Sequence, residues 1–312
     1  MDEKIVAVES NSIFSELTPR NKEEIIQILK DNGHIAGFMG DGMNDLKAIL
    51  KSDVGICVDT SAKAVKDASD VILLKKDLNV LEEGIIEGRR AFYNMSKYIK
   101  ITTSSNLGNI IAIIIASFML PFFPITSIQL LLLNLLYDII CLALPWDNVS
   151  SEDLKRPLSY SGRTLSRFML FFGPISSVFD VITFIFLFYY LAPMLTGGAF
   201  NTLDEVGQLS FISIFQTGWF LESMWSQVLI IHMLRTKGMP IGDRRASPVV
   251  LIVTTLGIVI LTMLVITPLG GFIGFSSLPL IYFVFLIGIV MGYLLIVSIF
   301  KYLYLKKYKN LI

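Results

Sequence analysis

Residues 101–146 read ITTSSNLGNIIAIIIASFMLPFFPITSIQLLLLNLLYDIICLALPW and contain a single charged residue, Asp138. A helix needs about 20 predominantly apolar residues to cross a hydrocarbon core about 30 Å thick. The stretch is long enough for two crossings, and Pro121 and Pro124 would interrupt a helix between them. The sequence therefore predicts two membrane-spanning helices joined by a short turn.

Charged residues are concentrated on the N-terminal side of this stretch in the 312-residue chain. Of the 26 basic and 26 acidic residues, 14 basic and 17 acidic ones lie within residues 1–100. We therefore expect an α/β domain and stalk over residues 1–92 and an all-α membrane domain over residues 93–312. The zero net charge gives no reason to expect nucleic-acid binding. Two cysteines, Cys57 and Cys141, exclude a disulfide scaffold.

Six apolar stretches follow the charged segment, at 101–120, 125–145, 168–191, 211–234, 249–268 and 279–300. All twelve Lys and Arg residues beyond position 100 fall into three clusters: Lys155, Arg156, Arg163 and Arg167; Arg235, Lys237, Arg244 and Arg245; and Lys301, Lys306, Lys307 and Lys309. Six spans with the N-terminal domain inside would put every cluster in the cytoplasm, as the positive-inside rule requires. We therefore expect a multi-pass protein of the cell (inner) membrane, with the N-terminal domain and the C-terminus cytoplasmic.

Two pairs of polar residues lie within the first two spans. Asn106 and Asn109 are three residues apart, and Asn134 and Asp138 are four apart, so each pair shares one face of a helix. Carboxylate and amide oxygens suit hard cations such as Mg²⁺, Ca²⁺ or Na⁺. The pairs are therefore candidates for a cation site. The alternative is that the Asn side chains only hold helices together.

Two further carboxylates interrupt later apolar stretches. An ionised carboxylate at mid-bilayer costs about 2.5–3.5 kcal/mol on insertion scales, so it normally faces a partner, a cavity or an ion. Glu222, with Gln227 on the same span, is a candidate ion ligand, whereas Asp180 either binds an ion or pairs with a neighbouring helix. His232 and Cys141 are interpreted as structural.

The charged N-terminal segment alternates short apolar runs with helical patterns. Residues 22–31 have helical spacing that ends at Asn32-Gly33, and strands are expected at 35–39, 54–58 and 71–74, with helices at 44–51 and 62–68 between them. From Leu78 a long helical pattern continues into the first span. This alternation is typical of a parallel α/β sheet.

The turn Gly40-Asp41-Gly42-Met43-Asn44-Asp45 follows the first predicted strand. Ligands of α/β proteins bind at the carboxyl ends of parallel strands. Asp41 and Asp45 could hold Mg²⁺ beside a phosphate, because Mg²⁺ takes one or two carboxylates together with waters and substrate oxygens. The alternative is an ordinary solvated Asp-Gly turn.

Several motifs in both halves resemble one family. Phe14-Ser-Glu-Leu-Thr-Pro19-Arg-Asn-Lys22, the Gly40–Asp45 turn and Asp53-Val-Gly-Ile56 look like the end of the phosphorylation domain of a P-type ATPase. Ser104-Ser-Asn-Leu-Gly-Asn109 and Asn134-Leu-Leu-Tyr-Asp138 are similar to the family's fifth and sixth membrane helices. Supporting stretches, Leu81–Arg90, Gln216–Glu222 and His232–Thr236, point to the bacterial magnesium-transporting subfamily.

The resemblance covers essentially the whole chain and implies a fold and site roles. The fold would be part of a haloacid-dehalogenase-like phosphorylation domain, followed by membrane helices five to ten of the family. Lys22 would contact the phosphoryl group, Asp41 would bind the catalytic Mg²⁺, and Asn44 and Asp45 would position the phosphate and the metal. The transport site would be lined by Asn106, Asn109, Asn134 and Asp138, with Glu222 on the family's eighth helix. Two departures are Glu16, where the family often has a basic residue, and Lys47 after the turn.

The family's Asp-Lys-Thr-Gly and Thr-Gly-Glu motifs do not occur in this sequence. Phosphoryl transfer needs an acceptor, a nucleotide cradle and Mg²⁺ together. We therefore expect the C-terminal portion of an ATP-driven cation pump, for Mg²⁺ by the resemblance, which is inactive without a missing N-terminal portion that binds ATP and carries the phosphorylated Asp. The alternatives are a stand-alone membrane protein that binds cations or regulates a complete pump, and a membrane-anchored phosphatase, which the lack of a nucleophilic Asp motif disfavours.

Overall fold

The computed structural model describes residues 3–238 and 245–311, so Arg244 of the second basic cluster lies outside the described residues. The chain forms two compact units, residues 1–87 and 88–312. One helix, α5 (Leu78–Met119), contains residues of both units.

The first unit is a small α/β structure. Its elements are α1 (Glu3–Ser10), α2 (Pro19–Asp31), β1 (Gly37–Met39), α3 (Leu46–Lys51), β2 (Val54–Val58), α4 (Lys63–Ala68) and β3 (Val71–Leu73). The strands form one parallel sheet in the order β1-β2-β3, in which Phe38 lies opposite Gly55 and Cys57 opposite Ile72. The strands, the parallel pairing and the intervening helices agree with the sequence pattern.

Local capping explains where α2 begins and ends. The Thr18 side chain accepts a hydrogen bond from the backbone N–H of Asn21, whose side chain accepts one from the Thr18 backbone, and Pro19 occupies the first turn. This reciprocal pair satisfies N–H groups that a helix start leaves unpaired. After α2, Gly33 adopts a φ of +86°, which a residue with a Cβ rarely does. The helix stop predicted at Asn32-Gly33 is therefore confirmed.

The second unit is helical. It contains the rest of α5, then α6 (Ser127–Cys141), α7 (Ser151–Leu154), α8 (Gly162–Phe186), α9 (Ala192–Thr196), α10 (Glu205–Leu234), α11 (Pro248–Ile266), α12 (Pro268–Gly271) and α13 (Leu280–Tyr308). Within the described residues, five helical segments are long and apolar enough to cross a membrane: Leu78–Met119, Ser127–Trp146, Gly162–Thr202, Pro248–Ile266 and Leu280–Tyr308. The predicted count of six spans is not confirmed, because α10 is not among them.

The environment of α10 explains this difference. Its 30 residues are long enough to span a bilayer, and it contacts α6, α8, α11 and α13. Most of its residues from Phe211 onward are buried, including polar ones such as Gln216, Glu222 and Gln227. A helix surrounded by protein can carry buried polar groups, provided that other helices satisfy them. These polar residues explain why α10 is not among the segments that are apolar enough to span a membrane.

Helices α5 and α8 approach closely at two glycines. A Cβ added to Gly108 would lie 2.0 Å from Oγ of Ser176 and 3.0 Å from the backbone O of Gly173. Oγ of Ser177 donates a hydrogen bond of 2.9 Å to the backbone O of Gly108. Small residues let membrane helices approach closely, so this contact fixes the position of α5 next to Asn109.

Candidate functional site

The turn Gly40–Asp45 lies at the carboxyl end of β1, as predicted. The backbone N–H of Gly40 donates to the carbonyl of Ile56, which anchors the turn to β2. A Cβ at Gly40 would lie 2.4 Å from Cβ of Asp45, so only glycine leaves room for that side chain. Met43–Asp45 then forms a 3-10 turn that leads into α3.

Two lysines neutralise the carboxylates of this turn. Nζ of Lys22, on α2, lies 2.7 Å from Oδ1 of Asp45, whose side chain is only 12% exposed. Nζ of Lys76 lies 2.6 Å from Oδ2 of Asp41, on a half-exposed side chain. The hydrogen bond and charge of Lys76, with a smaller contribution from the charge of Lys22, hold the pKa of Asp41 below its usual range. Asn44 is exposed on the same turn.

The donor set of this turn fits a shared Mg²⁺ site better than a complete one. Among the described residues, no group of three or more His, Cys, Asp or Glu side chains is placed to hold a metal ion. Mg²⁺ typically takes one or two carboxylates and completes its octahedron with waters and phosphate oxygens. Asp41 and Asp45 supply those carboxylates, and Lys22 and Lys76 supply positive charge for a phosphate.

The candidates for the transport site fall into separate groups. Asn106, Asn134 and Asp138 are exposed in this chain. In the described part of the chain, none of these three side chains makes a hydrogen bond to another residue. The structure therefore does not bring together the cluster of two Asn pairs that the sequence predicts, although Ser105 and Tyr137 hydroxyls, 3.4 Å apart, join α5 to α6 beside it.

Asn109 belongs to a buried contact between α5 and α10. Its Oδ1 accepts a hydrogen bond of 3.2 Å from Nε2 of Gln227, and the same Nε2 lies 3.4 Å from Oγ of Ser223. Asn109 and Gln227 are 7% and 5% exposed. The contact therefore joins two candidates that the sequence did not pair.

Asp180 and Glu222 form a second buried contact, between α8 and α10. Their carboxyl groups lie within hydrogen-bonding reach of each other, and the Ser226 hydroxyl, which donates to the backbone O of Ser223, lies beside Glu222. Nε1 of Trp219 donates a hydrogen bond of 2.7 Å to Oδ1 of Asp180. Both carboxyl groups are almost fully buried. The open question about Asp180 is therefore answered in part, since it does pair with a neighbouring helix.

Two buried oxygens on α10 lack partners. Within residues 3–238 and 245–311, Oε2 of Glu222 and Oε1 of Gln227 have no hydrogen-bond partner. Buried acceptors are normally satisfied, and an unpaired one costs about 1–3 kcal/mol. Oxygens in this state suit a hard cation, which binds carboxylate and amide oxygens.

Sequence reasoning missed three side chains around this pair. Trp219 and Ser226 lie three residues before and four after Glu222, so all three share a face of α10. That spacing could have identified Trp219 and Ser226 from the sequence. Ser223 could have been identified in the same way, because it lies four residues before Gln227. His232, interpreted as structural, has Nε2 3.0 Å from Oγ1 of Thr254, and Cys141 is buried in the apolar core.

Comparisons with known proteins point to one family. A family model described as the C-terminus of cation transporting ATPases matches residues 122–303. The magnesium-transporting ATPase, P-type 1, of Salmonella typhimurium is 42% identical over 301 residues, which are 96% of this chain and 32% of that protein. The protein of the same name from Escherichia coli K12 is 41% identical over 307 residues, which are 98% of this chain and 33% of the relative.

A more distant relative is named for a different ion. The calcium-transporting ATPase of Bacillus subtilis is 32% identical over 151 residues, or 48% of this chain and 17% of that protein. The chain spans about a third of the length of the magnesium-transporting relatives.

Proposed function

Because the chain belongs to the cation-transporting P-type ATPases and matches their C-terminal part, we propose that it is the C-terminal portion of an ATP-driven Mg²⁺ pump. The pump would move Mg²⁺ across the cell membrane through an aspartyl-phosphate cycle. α10 would be the fourth of six spans, with the N-terminal unit and the C-terminus in the cytoplasm.

The observation that carries the transport half of this proposal is the pair of unpartnered oxygens on α10. Oε2 of Glu222 and Oε1 of Gln227 are buried among helices and lack hydrogen-bond partners in the described residues. Mg²⁺ on the transport path would satisfy these acceptors and would offset the cost of a carboxylate within the membrane. Asn109 and Asp180, which contact Gln227 and Glu222, would orient these ligands or add their own oxygens.

The exposed candidates would complete the path of the ion. Asn106, Asn134 and Asp138 present oxygens on uncovered surfaces of α5 and α6. Polar groups of membrane helices normally face the interior of a bundle or a water-filled cavity. We propose that helices from the N-terminal portion of the pump cover these surfaces and enclose the three side chains.

The first unit would contribute to phosphoryl transfer as part of a haloacid-dehalogenase-like domain. Asp41 and Asp45 would hold the catalytic Mg²⁺, which when bound neutralises charge on the transferred phosphoryl group. Lys22, now paired with Asp45, would contact the phosphoryl oxygens, and Asn44 is exposed where it can reach them. ATP and the phosphorylated Asp would belong to the N-terminal portion.

A second candidate function is a stand-alone membrane protein that binds cations. The favouring observation is that the helices of this chain are sufficient to bury Asn109, Asp180, Glu222 and Gln227. Such a protein would bind Mg²⁺ without any part in ATP hydrolysis.

Cation binding by the purified full chain tests the transport site directly. The indole of Trp219 donates to Asp180, so its fluorescence should report a cation at the contact between Asp180 and Glu222. We expect saturable Mg²⁺-dependent fluorescence changes that disappear in Glu222→Gln and persist in the matched control Glu205→Gln, an exposed carboxylate at the start of the same helix. Equal responses of the two variants would contradict the proposed site.

A further inference from the structure

A buried ionic cluster lies at the end of α10, away from the candidate site. Asp147, in the segment after α6, accepts hydrogen bonds from Nζ of Lys97 at 2.7 Å and from NH1 of Arg235, which lies 3.0 Å from both of its carboxylate oxygens. The three side chains are 0–1% exposed. The backbone N–H of Ser247, the N-cap of α11, also donates to Asp147 at 3.3 Å.

The cluster ties the middle of α5 to the end of α10, the start of α11 and the segment after α6. Lys97 belongs to α5, Arg235 is the C-cap of α10, and Asp147 follows α6 closely. Nζ of Lys97 also donates to the backbone O of Asn148, and Nδ2 of Asn94 donates to the backbone O of Asp147. A single carboxylate therefore holds one cation from α5 and another from α10.

Stability alone is a weak reason for such a cluster. Apolar side chains of similar volume often replace a buried ion pair without loss of stability, and some replacements are stabilising. Removal of one partner, by contrast, leaves uncompensated buried charge. What the cluster provides beyond stability is a fixed geometry. Its ionic hydrogen bonds have a set direction and length, so they determine which residue of α5 faces which residue of α10.

The same two helices also carry Asn109 and Gln227, in the same direction from the ionic cluster. Asn109 lies twelve residues beyond Lys97 on α5, about 18 Å at 1.5 Å per residue. Gln227 lies eight residues before Arg235 on α10, about 12 Å in the same direction away from the cluster. The ionic cluster and the contact between Asn109 and Gln227 are thus two connections between the same pair of helices.

We propose that Asp147 is a positioning residue, whose carboxylate holds Lys97 and Arg235 together and so sets the register between the two helices that carry Asn109, Gln227 and Glu222. The role of this register in cation binding rests on the proposed function, because a shift of α5 would change the proposed cation site on α10. The register itself is a property of the chain and can be measured without transport.

The test uses pairs of cysteines in the full chain, with Cys57→Ser and Cys141→Ala as background. Asn109→Cys with Gln227→Cys reports the register through a short bifunctional thiol reagent. Ser213→Cys with Ser276→Cys is the control pair, because those hydroxyls are 2.6 Å apart at the other end of α10. Into each pair we introduce Asp147→Asn and, as a matched control, Asp153→Asn, whose partly exposed carboxylate pairs with Lys237 at 2.6 Å.

We expect Asp147→Asn to lower cross-linking of the 109/227 pair by roughly threefold or more, at the low end of energies seen for coupled contacts, and to leave the 213/276 pair unchanged. Asp153→Asn should change neither. If both pairs loosen in Asp147→Asn, its role is general stability and the proposal is overturned. Unchanged 109/227 cross-linking, an equal effect of Asp153→Asn, or a parent chain that does not cross-link at 109/227 would also overturn it.

A second variant covers the case in which Asp147→Asn does not fold. The triple substitution Lys97→Met, Asp147→Leu and Arg235→Met removes all three charges and keeps apolar bulk in the cluster. It should loosen the 109/227 pair alone, and intact cross-linking there would contradict the proposal. The Mg²⁺-dependent change in Trp219 fluorescence is measured separately, in the chain that keeps Asn109 and Gln227. Its absence would count against the proposed cation site and would leave the register result unaffected.

Discussion

The close approach of α5 and α8 gives a sharp prediction for Gly108→Ala. The new Cβ would lie 2.0 Å from Oγ of Ser176, which can rotate, and 3.0 Å from the backbone O of Gly173, which cannot. Overpacking of this kind costs about 1–3 kcal/mol. A domain of 150–250 residues loses about 2–4 °C in melting temperature per kcal/mol, so the expected loss is about 2–12 °C.

The assay uses the native thiol of Cys141, which is 1% exposed. In a Cys57→Ser background, a thiol-reactive dye reports the melting of the second unit alone. Gly288→Ala is the matched control, because no atom lies within 4 Å of its added Cβ, and the exchange should be neutral or stabilising by up to about 1 kcal/mol.

The companion variant Gly108→Ala with Ser176→Ala separates the two obstacles. It removes Oγ and leaves the Gly173 carbonyl, so it should recover part of the lost melting temperature. The proposed packing of α5 on α8 would be refuted if Gly108→Ala had the same melting temperature as Gly288→Ala. It would also be refuted if the double variant recovered none of the lost melting temperature.

Three further predictions concern the candidate sites. The pKa of Asp41 is lowered chiefly by Lys76. This ion pair therefore stabilises the fold above the unfolded pKa of about 3.9, and the contribution is lost as the pH falls through the lower folded pKa. In a ¹³C-Asp NMR titration of the full chain, Lys76→Met should return the Asp41 pKa toward its usual value, whereas the control Lys75→Met should not. Trp219→Phe removes the donor to buried Asp180 and should cost about 1–3 kcal/mol in the thiol melt, more than Trp225→Phe, whose indole donates to the neutral hydroxyl of Thr262; equal losses would contradict the importance of this contact. Gly40→Ala should displace Asp45 and lower the melting temperature measured at Cys57 in a Cys141→Ala background, whereas Gly37→Ala, which meets only a backbone oxygen at 3.7 Å, should have a smaller effect.

Local patterns were sufficient to predict α2, α3, α4 and the three strands of the first unit, whereas α1 was not predicted. The helical spacing of residues 22–31, the stop at Asn32-Gly33 and the short apolar runs all act over a few residues, and the structure has helices and parallel strands where they predict them. The position of Asp41 and Asp45 after β1 followed from the same reasoning. The pairing of Lys76 with Asp41 did not, because 35 residues separate them and only the folded chain brings them together.

The membrane unit shows where sequence reasoning stops. Apolar length predicted the six long helices, but the face that each helix buries depends on its neighbours. Asn134 and Asp138 share a face of α6 as expected, yet that face is exposed, whereas Asn109 lies against Gln227 on a helix more than a hundred residues later. The cluster around Asp147 was missed for the same reason, since its three charged residues lie on three different segments.

The most direct test of the account is ATP hydrolysis by the chain together with the N-terminal portion of a magnesium-transporting relative. The two polypeptides would be co-expressed, and Mg²⁺-dependent hydrolysis measured in purified membranes, with Glu222→Gln and Asp138→Asn as site variants. If the chain is the C-terminal portion of a Mg²⁺ pump, activity requires both polypeptides and falls in both variants. A stably inserted chain that gives no hydrolysis with its partner, or hydrolysis that neither variant lowers, would contradict it.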